Sequence, residues 1–383
     1  MADIKPFEVN WSEAAVNAVL DQVRAYPWPP APQVENGWAY GCDGGYLKDL
    51  CAHWTGGYDW RAAVANLNRF PQFTARVEDF DLHFLHVVGE AGGKRPLLIT
   101  HGWPGSHFEF WGVIEKLAWP SRFGGDPADA FDLVIPSLPG FGFSSKPARP
   151  VGQRLTAHLF NKLMTEVLGY GSYLAQGGDW GGLVTSWLGK NHGDTVRAIH
   201  LNMIGFRPHG GPTSEAEVAW LTRQNAMMDL LGAYFRLQAS KPQSLAWMAA
   251  GNPVGQAAWI AERFYDWSDL RTKSLDEAHP KDRLLTNIMI YVMTGSFTTG
   301  AWYYRGLLEE GGVAFAEGER CETPTAFANF PGEPLYSAPP RSWAERAYNI
   351  TRWTEMPSGG HFAAMEEPDH FVSDVQDWAR SAG

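Results

Sequence analysis

The chain has 383 residues, 45% of them hydrophobic, which is enough for one large core or two modest domains. A formal charge of -11 and the lack of any basic strip exclude a typical nucleic-acid binder and leave a neutral or apolar small molecule as the easier partner. Three cysteines, Cys42, Cys51 and Cys321, are an odd number without metal-ligand spacing, so a reducing compartment and no essential disulfide are expected.

MADIKPFEVNW carries charges and lacks the apolar run of a signal peptide or membrane anchor, an expectation of a cytoplasmic protein. Residues 1–90 read as an irregular arm with a few helices. WSEAAVNAVLDQVRAY has helical periodicity, with Ser12 as N-cap and PWPPAP as its stop. YLKDLCAHW and DWRAAVANLNRF follow, the latter capped by Asp59, and FDLHFLHVV alternates like a strand.

From residue 97, short apolar strands alternate with longer helices. PLLIT, FDLVIP, SYLAQ and VRAIHLNM read as strands; FEFWGVIEKLA, LTAHLFNKLMTEVL and LVTSWLGKN read as helices. That alternation predicts an α/β fold, a mostly parallel sheet covered on both faces. Helical stretches interrupt it from 205 to about 290, and the sheet pattern resumes at PTAFANF and YNITRWTEM before a closing helix, DVQDWARSA. The expected units are an arm at 1–90, a first core segment at 91–204, a helical lid at 205–300 and a second core segment at 301–383. Neither a P-loop nor a dinucleotide GxGxxG is present.

GGDWGG, residues 177–182, falls where SYLAQ gives way to LVTSWL. Small residues around a central side chain suit a nucleophile elbow, a tight strand-to-helix turn, but the centre here is Asp179 rather than serine. The plainer alternative is that Asp179 caps the following helix. A carboxylate nucleophile attacks an electrophilic sp3 carbon to give an alkyl ester, and a base must then activate water to hydrolyse it. His361 in PSGGHFAAMEEP is the strongest candidate for that base, since it follows a strand and a Gly-Gly pair near the end of the chain. Glu333 in FPGEP is the candidate acid that orients it, with Glu366, Glu367 and Asp369 reading more easily as solvated charges or caps. HGWPGS, residues 101–106, supplies a loop whose Trp103 N–H, together with that of Trp180, is a candidate oxyanion hole. His101 is expected to support that loop. Trp103, Trp180 and Phe108 are candidate substrate-pocket walls.

These segments in this order resemble the α/β-hydrolase-fold epoxide hydrolases, in particular the microsomal-like branch with juvenile-hormone and bacterial members. The likeness runs through GYDWR and LNRFPQF, HGWPGS, GGDWGG, the helical lid, FPGE and GGHFAAMEEP. It implies nucleophile Asp179, base His361, acid Glu333 and two lid tyrosines that donate to the epoxide oxygen. GAYFRLQASKP places the first on Tyr234, and TGSFTTGAWYYRG favours Tyr304 over Tyr303 for the second. The implied reactants are a small hydrophobic epoxide and water, with no metal or organic cofactor. The arm, with Trp11 and Trp28, is expected to wrap the body and help hold the lid, and its apolar surface is equally compatible with a homodimer. A haloalkane dehalogenase, which shares the carboxylate nucleophile, and a non-catalytic binder of apolar ligands are the competing readings.

Overall fold

The computed structural model describes residues 3–90, 92 and 95–382. Among these, nine strands form one sheet: β1 (Ile4–Phe7), β2 (Gln72–Val77), β3 (Phe80–Val87), β4 (Pro96–Thr100), β5 (Asp132–Pro136), β6 (Tyr173–Gly177), β7 (Val196–Leu201), β8 (Cys321–Asn329) and β9 (Tyr348–Glu355). Their order across the sheet is β1-β2-β3-β5-β4-β6-β7-β8-β9. β1, β2, β3 and β5 pair antiparallel, and from β5 onward every pairing is parallel. Every residue of β4, β5 and β6 is buried, as helices on both faces of a parallel sheet require.

The swap of β4 and β5 makes β4 the direct neighbour of β6, with Thr100 opposite Gly177 at their ends. The loops after these two strands therefore open side by side at the carboxyl edge of the sheet, the crevice where α/β folds place ligands. The loops after β8 and β9 open at the same edge.

The N-terminal segment is more than an arm with helices, because β1 and β2 join β3 to extend the sheet. β1 is an edge strand whose first three residues are exposed, so no buried face imprints a period-2 pattern on it, and its Pro6 is tolerated there. Buried Gln72 likewise breaks the alternation of β2. FEFWGVIEKLA is not one helix but a 3-10 turn, His107–Phe110, followed by the short helix Ile114–Ala118. Ser106 Oγ accepts the Phe108 N–H at 3.3 Å and sets that tighter turn.

Seven helices lie between β7 and β8 among the described residues: Glu215–Leu231, Ala233–Ser240, Pro242–Ala249, Pro253–Trp267, Leu275–Ala278, Lys281–Thr294 and Ser296–Glu309. A lid boundary at residue 300 would cut the last of these, since Gly300 and Ala301 are buried mid-helix; the sheet resumes only at Cys321. The lid is fastened to the HGWPGS loop by Tyr291 OH donating to Gly105 O at 2.7 Å and Asn287 Nδ2 to Pro104 O at 2.8 Å.

The N-terminal segment also grips the lid. The Trp38 ring stacks on Tyr265 at 4.0 Å, and the Tyr58 and Thr286 hydroxyls are 3.0 Å apart. Trp11 is buried in this packing, whereas Trp28 stays 39% exposed, edge-on to Tyr26 and beneath Lys48, so it seals nothing. Cys42, Cys51 and Cys321 are free thiols. Among the described residues no helix is long and apolar enough to cross a membrane.

Candidate active site

Asp179 is the first residue of the helix Asp179–Asn191 that leaves β6, and Gly178, not Asp179, holds the N-cap position. Its φ of 49° is in the left-handed region, which costs a non-glycine residue on the order of 1–3 kcal/mol and turns its side chain out of the helix. The carboxylate points across to the loop after β4, where Oδ1 accepts the Trp103 N–H at 2.7 Å. Only glycine fits at position 102, because a Cβ there would lie 2.2 Å from Asp179 Oδ1. Burial raises the Asp179 pKa, opposed by the charge of His361 and by the backbone N–H groups of Trp103 and Trp180.

His361 sits on the loop after β9 with Nε2 3.5 Å from Asp179 Oδ2 and Nδ1 2.5 Å from Glu333 Oε2. Glu333 is fixed in turn, since its Oε1 accepts the N–H groups of Leu335 at 2.9 Å and Tyr336 at 3.1 Å. Burial would lower the His361 pKa, but the charge and hydrogen bond of Glu333, with Asp179 and Glu109, raise it to about 9. The imidazole is packed 4.7 Å from the Trp267 ring, and the backbone N–H of His361 donates to Trp267 O at 2.9 Å.

Glu366, read above as a solvated charge or cap, is a buried organiser of the His361 loop. Its Oε2 accepts the N–H groups of Gly360 at 3.0 Å and Asp269 at 2.7 Å, and its Oε1 that of Phe362 at 2.9 Å. Asp369 and Glu367 pair instead with Lys116 and Lys273. His101 is buried, donates from Nδ1 to Gly102 O at 3.0 Å and accepts the Leu138 N–H at 3.1 Å on Nε2. Burial drives its pKa down to about 4, so it braces the loop as a neutral ring.

Above Asp179 the lid encloses a cavity of about 320 Å³, lined among others by Asp179, Trp180, Leu183, Met228, Tyr304 and Tyr336. Tyr304 packs edge-on to Trp180 at 4.6 Å, and its buried hydroxyl makes no hydrogen bond to protein. The neighbouring Tyr303 hydroxyl is committed to Thr156 Oγ1 at 2.7 Å. The Tyr234 ring stacks on Trp103 at 5.4 Å, and its hydroxyl lies 3.0 Å from that of Tyr336. Burial holds the Tyr234 and Tyr304 pKa values well above the usual phenol value, so both remain donors.

Tyr336 is a residue the sequence did not single out; its place three residues after Glu333 was the only clue. Phe108 does not line the cavity. The 3-10 turn that carries it directs its ring onto Trp111, 5.2 Å away. Trp103 likewise offers the site its backbone N–H, while its ring buttresses Tyr234 from outside the cavity lining. Among the described residues no cluster of His, Cys, Asp and Glu is arranged to hold a metal ion.

The model of the epoxide hydrolase N terminus matches residues 4–110, and that of the alpha/beta hydrolase fold matches residues 95–240. A Stigmatella aurantiaca (strain DW4/3-1) protein that carries an epoxide hydrolase name is 37% identical, over 98% of this chain and 85% of its own. Epoxide hydrolase 1 of Oryctolagus cuniculus is 33% identical, over 97% of this chain and 88% of its own. The solved Aspergillus niger epoxide hydrolase superposes with a TM-score of 0.86 at 29% identity, covering 100% of this chain and 97% of that one. Together with the mostly parallel sheet and the helical lid, these likenesses show that the chain belongs to the epoxide hydrolase family of the α/β-hydrolase fold.

Proposed function

We propose that the protein hydrolyses hydrophobic epoxides to vicinal diols through a covalent ester on Asp179. The observation that carries this reading is one carboxylate with Trp103 N–H on Oδ1, His361 and Glu333 behind Oδ2, and the unpartnered Tyr304 hydroxyl in the cavity above. The Asp179 oxygen not bonded to Trp103 attacks a ring carbon, the carbon–oxygen bond of the ring breaks, and Tyr304 with Tyr234 stabilises the alkoxide and supplies its proton. Water then adds to Cγ of the ester and passes a proton to His361. The N–H groups of Trp103 and Trp180 hold the oxyanion, and the diol leaves with its proton restored.

The electrostatics favour this order. In the free enzyme the negative Asp179 helps to raise His361, and forming the ester removes that charge. Loss of that charge lowers the His361 pKa, so a larger share of the imidazole is neutral and able to accept the water proton once the ester exists.

The test is a single turnover of styrene oxide in ¹⁸O-labelled water, followed by mass analysis of the peptide containing Asp179. Label in the Asp179 carboxylate together with diol product is expected. Diol formation with an unlabelled Asp179 defeats the covalent route, and halide release from a chloroalkane without diol from the epoxide favours the dehalogenase reading.

A further inference from the structure

Of the described side chains that line the lid cavity, two are charged: Asp179, beside buried Trp180 and Tyr304, and Arg207, an exposed residue. The cavity reaches the surface where Arg207 and the exposed Leu308 join its wall. Between the two charges the lining is largely apolar, with Leu183, Met228, Phe235 and Leu307.

Arg207 belongs to the segment that follows β7. Its N–H donates to Val313 O at 2.9 Å, and its own C=O accepts the Phe315 N–H at 3.0 Å, so its backbone is pinned to the chain that leads into β8. Among the described residues its guanidinium makes neither an ion pair nor a hydrogen bond. Arg346, which reaches the same loop through Gly211 O, is by contrast committed to Glu217 at 3.0 Å. Burial raises the pKa of the cavity residue Tyr336 and the charge of Arg207 opposes that rise, so the guanidinium is felt inside the cavity.

We propose that Arg207 selects epoxides whose apolar chain ends in a carboxylate, holding the carboxylate at the cavity mouth while the ring meets Asp179. This rests on the epoxide hydrolysis proposed above. The planar fork of a guanidinium matches a carboxylate with two parallel hydrogen bonds, and the apolar walls between mouth and nucleophile gain from burying the chain. The opposite orientation sets the substrate carboxylate against Asp179 in apolar surroundings, where the two negative charges repel. Charge at both ends of the cavity thus fixes which way such a substrate enters. The net charge of -11 works against an anion at long range, but at physiological salt that field is screened beyond about 8 Å, so contact with Arg207 decides. The carboxylate contact is the same in the bound substrate and in the transition state, and its effect therefore falls on KM.

The test compares diol formation from the terminal epoxide of undecylenic acid with that from its primary amide, which keeps the shape and removes the charge. Wild type is expected to favour the acid about tenfold in kcat/KM, with the difference carried by KM. Arg207→Gln brings the ratio to about one. Arg207→Lys keeps about a threefold preference, since the charge remains without the fork. Raising salt from about 0.05 M to about 0.5 M lowers the wild-type ratio to about threefold and leaves that of Arg207→Gln unchanged. Each ratio is taken within one protein, so a general loss of activity or of folded enzyme cancels.

A ratio near one in wild type, or a preference for the acid that survives Arg207→Gln, overturns the inference and leaves epoxide hydrolysis standing. A preference lost through kcat with KM unchanged marks a structural role and overturns it too. No diol from the acid, the amide or styrene oxide overturns the proposed function and this inference together.

Discussion

The two cavities that meet at Asp179 differ in size and in chemistry. On the lid side, about 320 Å³ is enclosed by side chains such as Leu183, Met228 and Tyr304; on the sheet side, about 20 Å³ is bounded by Thr100, Gln176 and Glu109. A large apolar space gains affinity by burying an organic molecule, while a small polar one can order a single water. Asp179 lines both, and His361 borders only the smaller of them.

The comparison is most severely strained at the shared carboxylate. Asp179→Asn is expected to abolish the alkylated species and lower kcat about 10⁴-fold or more, measured as diol formed from styrene oxide. His361→Gln damages only the sheet side: alkylation proceeds, ester hydrolysis falls about 10³-fold, and the adduct is seen by intact-protein mass. An adduct that fails to build up in His361→Gln, despite normal substrate binding, breaks the division between the cavities.

On the lid side, Tyr304→Phe removes a donor facing substrate and is expected to slow alkylation about 10²-fold without changing ester decay. Tyr303→Phe is the control. It loses the bond to Thr156 and about 1 kcal/mol of stability, read from urea denaturation, with alkylation within about threefold of wild type.

A separate effect is on stability against pH. The folded-state pKa of His361 is raised from 6.5 to about 9, so its contribution is complete below 6.5 and is lost as pH rises through 9. Unfolding free energies from urea denaturation at pH 6 and pH 10 should therefore differ by up to about 3 kcal/mol more in wild type than in Glu333→Gln. An equal difference in both proteins shows that Glu333 does not hold the charge on His361.

The parts legible in the sequence are those that local chemistry dictates. The glycines around Asp179 announce a tight turn, and the strand–helix alternation places Asp179, Glu333 and His361 at strand ends, where the structure brings their side chains together. What was not legible depends on distant partners. Glu366 reads as one acid in a pair on a polar stretch until the fold sets it against Asp269, almost a hundred residues earlier in the chain. The ring direction of Phe108 and the free hydroxyl of Tyr304 are likewise set by packing that no period in the sequence encodes.

The segment from Glu333 to Tyr336 couples two distant tasks. At one end Glu333 grips His361; its other oxygen holds the backbone of Tyr336, whose hydroxyl meets Tyr234 on the lid. One stretch of four residues therefore fixes both the hydroxyl that meets Tyr234 and the carboxylate that orients His361, so a substitution in it is felt at the lid tyrosine and at the base alike.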